Sequence, residues 1–385
     1  MRSWPRAVLP AVAVAAAWGS SSCAPSGFAA ESLIDTVRVL ASASVDTTQL
    51  DPASNPSPSY AQPGDTVSLQ VLAYDGRPTK PEPMTLYWLP FVCENPQGDA
   101  YYACFQGLGQ GSSDGGAPDA GEAGDAGTGP NLGALQPGVD LTPFLPTGPT
   151  YQFKVPEDLV ATHTPVPGSP APYGLAILFN IACAGHLELL PADPSNANPQ
   201  QIPLGCFDSG ENQLGPDDWV FGFTRVYAFA QGSLPGGATM TNANPSVSSL
   251  DIAGQTQAVT LAPGATQAYT TATWQVSACP STGSCPKTRI GPIVPSSSWE
   301  PTPGFTDVNG NELHEELWMD FYSTFGSFSG STGLLYDATT GSLGGPSVTD
   351  AQFSPPSTPG SGFIWIIVHD NRGGAAWVTV PVQVQ

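Results

Sequence analysis

The segment DVNGNELHEELWMD contains the densest group of side chains that could bind a metal ion. If it forms a strand, His314, Glu316 and Asp320 project from the same face as Trp318, because side chains alternate along a strand. An imidazole and two carboxylates are ligands that divalent cations accept. The segment does not match an EF-hand calcium loop, which needs glycine at its sixth position, because Gly310 falls at the fourth. We therefore expect a solvated strand face and no metal.

A second group of polar side chains, His369, Asp370, Asn371 and Arg372, precedes two glycines. The flanking runs FIWIIVH and WVTVPVQVQ are rich in β-formers, so the short loop between them predicts a β-hairpin. In one interpretation the loop contacts a ligand, as loops on rigid β-sandwiches often do. In the other, Asp370 and Asn371 bond the turn backbone, a glycine supplies positive φ and Arg372 pairs locally. The second is favoured, because a tight turn needs these residue types in any case.

Other catalytic signatures lack the structural context that they require. Residues 111–115, GSSDG, match the GxSxG elbow of α/β-hydrolases, but no strand precedes them and no helix follows. The chain has four histidines, which leaves little material for acid–base chemistry near neutral pH. No phosphate-binding loop or dinucleotide fingerprint is present. The sequence therefore predicts a protein that is not an enzyme and has no cofactor.

The chain has seven cysteines, an odd number. Six of them fall into three close groups: Cys93 with Cys104, Cys183 with Cys206, and Cys279 with Cys285. An even set in an exported chain implies disulfides, and this clustering favours the three local pairs among about 15 pairings that six cysteines allow. None of the spacings is typical of a structural zinc site. The remaining cysteine, Cys23, has no partner in this scheme.

The first residues predict export. Arg2 and Arg6 precede an uncharged apolar run, Ala7 to Trp18, which is too short to cross a bilayer and fits a secretory signal. The following Ser20-Ser21-Ser22-Cys23 resembles the bacterial lipobox, which usually has an aliphatic residue where Ser20 stands. That resemblance implies acylation of Cys23 and attachment to a membrane through an N-terminal lipid. The alternative is ordinary signal cleavage near Ala29, which would release a soluble protein.

The charge and composition exclude some partners and favour β-structure. With 32 acidic and 10 basic residues, the net charge is −22, which repels nucleic-acid phosphates and anionic membrane surfaces. Only 11% of the residues are charged, and the 43 glycines and 42 prolines exceed a fifth of the chain. This composition is typical of short strands with many turns rather than helices.

Alternating apolar residues predict strands in both halves of the chain. In Thr66 to Tyr74, for example, Val67, Leu69 and Val71 would face a core while the intervening residues face water. Further strands are predicted at 35–42, 84–93, 151–155, 173–183, 219–229, 246–252, 268–279, 313–323, 363–369 and 377–385. Trp88 occupies the position at which immunoglobulin-like sandwiches often bury a tryptophan. Turn signals recur every 8–15 residues, which suggests two β-sandwich domains.

Two polar stretches divide this pattern. The acidic, Gly-, Ala- and Asp-rich segment at about 107–148 is predicted to be a disordered insert, because most of it has too few bulky apolar residues to offset chain entropy. A second Gly-rich stretch is taken as an interdomain linker. The predicted organisation is a signal peptide (1–22), a tether (23–34), a first domain (35–229), a linker (230–245) and a second domain (246–385).

The segments VRVLAS, AQPGDTVSLQVLAYDGRP and LYWLPFVC, with ELWMDFYSTFGSF and the terminal hairpin, resemble uncharacterised bacterial Ig-like surface lipoproteins. The resemblance implies an all-β fold of two immunoglobulin-like sandwiches in tandem, and it supplies no catalytic residues. We expect a non-enzymatic binding, adhesive or structural module, lipid-anchored to the outer membrane on its periplasmic or cell-surface side, with an unknown protein or glycan ligand. The alternatives are a carbohydrate-binding secreted protein or hydrolase accessory module and, third, a metal-dependent enzyme that uses the His314 region.

Overall fold

The computed structural model describes residues 31–51, 56–105, 137–164, 171–191, 203–261, 264–270, 272–306, 310–343 and 351–385. The predicted signal peptide, the predicted acylation site Cys23 and most of the predicted tether lie outside these residues. Most of the acidic insert, including the GSSDG motif, also lies outside them. Residues Glu31–Gln385 form one compact unit.

Strands are the main regular elements in the described part of the first half, as the alternation predicts. The strands are β1 (Val37–Asp46), β2 (Thr66–Asp75), β3 (Thr85–Trp88), β4 (Cys93–Glu94), β5 (Thr150–Lys154), β6 (Tyr173–Cys183), β7 (His186–Leu189), β8 (Leu204–Phe207) and β9 (Trp219–Phe229). A single turn of helix, α1 (Leu159–Thr162), and short 3₁₀ turns connect them.

The second half continues the all-β pattern. Its strands are β10 (Ser249–Ile252), β11 (Gln255–Leu261), β12 (Gln267–Thr270), β13 (Trp274–Val276), β14 (Thr288–Ile293), β15 (Pro301–Thr306), β16 (Glu312–His314), β17 (Leu317–Ser323), β18 (Ser327–Ser329), β19 (Thr332–Asp337), β20 (Ser342–Leu343), β21 (Ala351–Ser354), β22 (Gly360–Asp370) and β23 (Ala375–Val384). The predicted all-β class is confirmed.

Two sheets of the first half enclose a core between them. One has the order β1-β2-β5, and the other has the order β3-β6-β4 with β9 paired to β6. Val67 and Leu69 of β2 pack in one cluster with Trp88, Leu178 of β6 and Val226 of β9. All residues of β6 are buried, because its opposite face packs under the two-stranded β7–β8 hairpin. This explains why β6 is a continuous apolar run rather than an alternating one.

Most strands of the second half belong to one large curled sheet with the order β18-β21-β14-β10-β11-β12-β23-β22-β17-β19-β20, in which β13 also pairs with β23. Residues from distant parts of this order meet in a single core: Ile290 and Phe353 pack in the same cluster as Met319, Ile366 and Val380. The predicted terminal hairpin is formed by β22 and β23, which pair from Gly360 opposite Val384 to His369 opposite Ala375.

The two halves are joined by a further apolar cluster. Leu40 and Leu72 from the first half pack with Trp365, Ile367 and Trp377 from β22 and β23. Burying aromatic and aliphatic side chains of this size stabilises by about 1.5–3 kcal/mol each. The outer face of the terminal hairpin is therefore covered by the first half of the chain.

Two stretches predicted to be open are in fact packed. The insert ends earlier than residue 148, because Leu141 and Leu145 anchor residues 137–148 in the apolar core of the first half. In the predicted linker 230–245, Asn242 and Asn244 are buried and hydrogen-bonded to both halves. The high glycine content of both stretches predicted open segments, although a few of their side chains are buried and fix them in place. No helix within the described ranges is long and apolar enough to span a membrane.

Candidate functional site

The hairpin loop 370–374 turns into the protein. Asp370 is only 2% exposed, and its Oδ1 accepts hydrogen bonds from the backbone N–H groups of Arg372 (2.8 Å) and Gly374 (2.7 Å). Gly373 adopts φ 98°, a left-handed conformation that favours glycine. Asn371 does not have the turn-bonding role that was predicted for it. Its Oδ1 instead accepts a hydrogen bond from the backbone N–H of Glu316 at 3.2 Å. The loop therefore contacts its own protein on several sides.

The guanidinium of Arg372 does not pair locally but reaches two glutamates from outside the loop. Its Nε lies 3.5 Å from Glu315 Oε2, and its Nη1 lies 4.0 Å from Glu300 Oε2. Its Nη2 donates hydrogen bonds to Thr302 Oγ1 at 2.5 Å and to the carbonyl of Pro301 at 3.2 Å. One cation thus lies among the carboxylates of Glu300, Glu315 and Asp370, which together with Arg372 we call the junction charge cluster.

Burial changes the protonation of the junction charge cluster. Burial, with the added negative charge of Asp370, raises the pKa of Glu315 to about 8. Burial also raises the pKa of Asp370, although three N–H donors favour its ionised form, and it raises the pKa of Glu300. Glu315 therefore carries a proton near neutral pH, and Arg372 is not surrounded by three full negative charges.

Two asparagines connect the junction charge cluster to the first half. The Nδ2 of Asn242 donates to Asp370 Oδ2 at 3.1 Å and to Ser59 Oγ at 2.9 Å. The Nδ2 of Asn244 donates to the carbonyl of Ser44 at 2.7 Å, while its Oδ1 accepts a hydrogen bond from the backbone N–H of Ala375 at 3.0 Å. Asn242 and Asn244 thus link the hairpin of the second half to the first half.

His369 lies on the outer face of the large sheet. Its ring stacks on Trp318, with centroids 5.2 Å apart, and its Nε2 lies 3.4 Å from Asp320 Oδ2. Burial acts to raise the pKa of Asp320, but hydrogen bonds from His369 and Thr332 outweigh it and lower that pKa. Asp320 is therefore held ionised beside the imidazole, an arrangement that orients His369.

The predicted metal candidates His314, Glu316 and Asp320 do not converge. The strand breaks between β16 and β17, and the two pieces pair with different partners, β15 and β22. His314 Nδ1 lies 3.0 Å from the carbonyl of Glu312, whereas Asp320 is engaged by His369. Glu315, which the alternation passed over, is the buried acid of this segment.

A different group of metal-binding side chains comes together on the β7–β8 hairpin. His186 and Glu188 alternate along β7 and share its outer face, and Glu211 approaches from the turn after β8. His186 Nε2 lies 3.1 Å from Glu188 Oε1 and 3.7 Å from Glu211 Oε2. One ligand atom from each residue lies within 4.8 Å of the other two. We call these three residues the hairpin triad.

Sequence reasoning missed the hairpin triad. In the sequence HLE, His186 and Glu188 are two residues apart, a spacing that places their side chains on the same face of a strand. Glu211 could not be added from spacing, because its approach depends on the turn after β8. There Asp208 Oδ1 accepts hydrogen bonds from the backbone N–H groups of Gly210 (2.9 Å) and Asn212 (2.8 Å).

The fourth histidine belongs to a buried polar group. His163 Nε2 lies 2.9 Å from Asp99 Oδ1, and the hydroxyl of Tyr173 donates to Asp99 Oδ2. Burial, followed by the hydrogen bond to Asp99, raises the pKa of Tyr173. Asp99 lies inside the loop closed by Cys93 and Cys104, so these contacts fasten that loop to β6.

The six later cysteines form the three local disulfides that their clustering favours. Cys93 is bonded to Cys104, Cys183 to Cys206 and Cys279 to Cys285. The second of these disulfides joins the end of β6 to β8, directly beside the hairpin triad. Cys23 lies outside the described residues.

A cleft of about 460 Å³ opens where the end of β2 meets β22 and β23. Its walls include the rings of Tyr74, Phe325 and Phe363, together with Lys80 and Gln383. The Lys80 ammonium lies 5.5 Å from the centroid of the Tyr74 ring, and Phe363 is 38% exposed. Ligand sites are commonly clefts of about 300–1,000 Å³ at such junctions. We call this the Tyr74 cleft.

No protein-family model matches the chain, and no curated protein matches it. Among solved structures, dimeric latent PorU from Porphyromonas gingivalis is similar at 11% identity with a TM-score of 0.18, over 92% of this chain. The chain spans 24% of the length of PorU. The fold class therefore rests on the structure itself, which defines an all-β protein.

Proposed function

We propose that this chain is an exported, lipid-anchored, non-enzymatic binding module. The observation that carries this proposal is the pairing of six of the seven cysteines in three disulfides. Disulfides form and persist in oxidising compartments outside the cytosol. Cys23 is the one cysteine left over, and acylation after a signal sequence gives it a role.

The proposed anchor is an N-terminal lipid at Cys23, which attaches the chain to the outer membrane on its periplasmic or cell-surface side. One acyl chain gives only marginal membrane binding, so stable attachment requires the two or three chains that a diacylated and N-acylated cysteine carries. The net charge of −22 opposes direct binding to anionic lipid surfaces, which makes a covalent anchor the better route to a membrane.

We further propose that the folded part consists of two Ig-like β-sandwiches, within residues 35–229 and 246–385. The first is supported by two sheets that pack face to face over Trp88, and the second by a curled sheet that encloses one core. The junction charge cluster and the apolar cluster of Trp365 and Trp377 would fix the two sandwiches as a rigid pair.

Metabolic labelling in a bacterial host tests the anchor. A clickable fatty acid should label the full-length chain and the protein should sediment with outer membranes. The variant Cys23→Ala should lose the label, whereas the nearby control Ser26→Ala should keep it. Label that persists in Cys23→Ala, or wild-type protein that is unlabelled and soluble, would overturn the proposal.

A second candidate function, carbohydrate binding, is favoured by the Tyr74 cleft. Its aromatic rings offer apolar faces, while Lys80 and Gln383 offer polar groups for hydroxyls. Such a mixture of apolar surface and a few polar groups is typical of small-ligand sites. A glycan array probed with the wild type and Tyr74→Ala tests it, with Tyr269→Ala as the control because Tyr269 is exposed elsewhere on β12. Signals that survive Tyr74→Ala would exclude the cleft.

A further inference from the structure

We propose that the hairpin triad, His186, Glu188 and Glu211, binds a zinc ion. The site would add a metal-binding property to the module, and it does not depend on the lipid anchor or on the Tyr74 cleft.

The ligand chemistry favours zinc over calcium. Zinc accepts imidazole nitrogen and carboxylate oxygen, usually from three or four ligands, whereas calcium takes six to eight oxygens. The triad offers one nitrogen and two carboxylates. With three protein ligands, a fourth position stays open for water or for an anionic group of a partner.

The distances are close to those of a formed site. Two ligand atoms that each lie about 2.0–2.1 Å from a tetrahedral zinc are separated by about 3.3 Å. The separations from His186 Nε2 are 3.1 Å to Glu188 Oε1 and 3.7 Å to Glu211 Oε2, and no pair of ligand atoms exceeds 4.8 Å. Only a small side-chain rotation is needed, and the Glu211 side chain, which is 73% exposed, is free to make it.

The first two ligands are held by a rigid element. The His186 and Glu188 side chains are 19% and 12% exposed, and Leu187 between them is fully buried in the core. The Cys183–Cys206 disulfide joins the end of β6 to β8, the strand that pairs with β7. A site on a braced hairpin loses little conformational freedom when the ion binds.

The local charge also attracts a cation. Glu188 and Glu211 lie beside His186, and Asp208 belongs to the turn that carries Glu211. Glu82 reaches the same turn by accepting a hydrogen bond from the backbone N–H of Ser209 at 2.7 Å. Among the salt bridges of the described residues, none joins an arginine or lysine to Glu188 or Glu211. A divalent ion placed between these carboxylates would supply positive charge where several negative groups lie close together.

Calorimetric titration of the untagged, disulfide-bonded mature chain with zinc chloride tests the proposal. We expect one saturable equivalent of zinc, with calcium chloride giving no comparable binding. His186→Ala, Glu188→Gln and Glu211→Gln should each weaken zinc binding at least about tenfold, since each removes a ligand. His314→Ala and Glu157→Gln, a histidine and an exposed glutamate outside the triad, should leave it unchanged.

X-ray absorption of the zinc complex gives an independent readout. It should show one imidazole and only nitrogen or oxygen neighbours at about 2.0–2.1 Å. Glu211→Gln separates loss of a zinc ligand from loss of the fold, because this exposed side chain can be changed without unfolding the hairpin. The proposal is overturned if zinc does not bind saturably, or if His186→Ala keeps wild-type affinity, which would mean that the triad is only a hydrogen-bonded His–carboxylate group.

Discussion

Replacing Glu315 by glutamine should make the protein more stable at alkaline pH. Burial raises the pKa of Glu315 from 4.5 to about 8. Between these two values the folded chain holds a proton that the unfolded chain has released. The free energy of unfolding therefore falls as the pH rises, by about 1.4 kcal/mol per pH unit for one group, and the fall ends above the folded-state pKa.

The size of the effect follows from this interval. From about pH 5.5 to about pH 8, ionisation of Glu315 removes about 3 kcal/mol from the free energy of unfolding. Glutamine imitates the protonated acid, and its Oε1 can accept the same hydrogen bond from the backbone N–H of Glu300, now 2.9 Å long. The stability of Glu315→Gln relative to the wild type should therefore rise by about 3 kcal/mol between about pH 5.5 and about pH 8.

Urea unfolding of the disulfide-intact chain, followed by tryptophan fluorescence at several pH values, measures this difference. Asp46, whose pKa burial raises to about 7, contributes a similar slope to both proteins and cancels in the comparison. Glu157→Gln is the control, because Glu157 is exposed and should not alter the pH dependence. A difference between wild type and Glu315→Gln that stays constant with pH would refute the reasoning.

Two further predictions concern the first half. Trp88→Ala should lower the free energy of unfolding by about 3–5 kcal/mol, because Trp88 is fully buried, stacks on Tyr151 and donates to the carbonyl of Gly148 at 2.9 Å. Truncation of the exposed Phe144 to alanine should change this free energy little. Equal urea midpoints for the two variants would contradict the prediction. Removing Cys183 and Cys206 together should cost about 3 kcal/mol, since the disulfide links cysteines that are 23 residues apart; an unchanged melting temperature would show that the loop is held by packing alone.

Strand positions were predictable from the sequence where one face is buried. Thr66–Asp75 alternates because one set of its side chains enters a core. Ala375–Val384 has alternating valines that enter the second-half core, although its other face is also buried, under the first half. The disulfides were also predictable, because the two cysteines of each pair are neighbours among the cysteines along the chain. Short strands such as β7 and β8 were not predicted, since four residues give too little pattern to distinguish a strand from a turn.

The candidate sites were harder to predict, because they depend on contacts between distant segments. Asp370 and Arg372 read as turn residues, and only the approach of Glu315 and Asn242 turns their loop into a buried junction. The hairpin triad needs a turn that brings Glu211 back to His186. Pairings across such distances leave no periodic trace in one sequence.

The proposed anchor is tested most directly by the intact mass of the mature chain purified from bacterial membranes. The account predicts a chain that begins at Cys23 and carries the added mass of a diacylglyceryl group and an N-terminal acyl chain. A chain that begins at Ala30 and carries no lipid would contradict it.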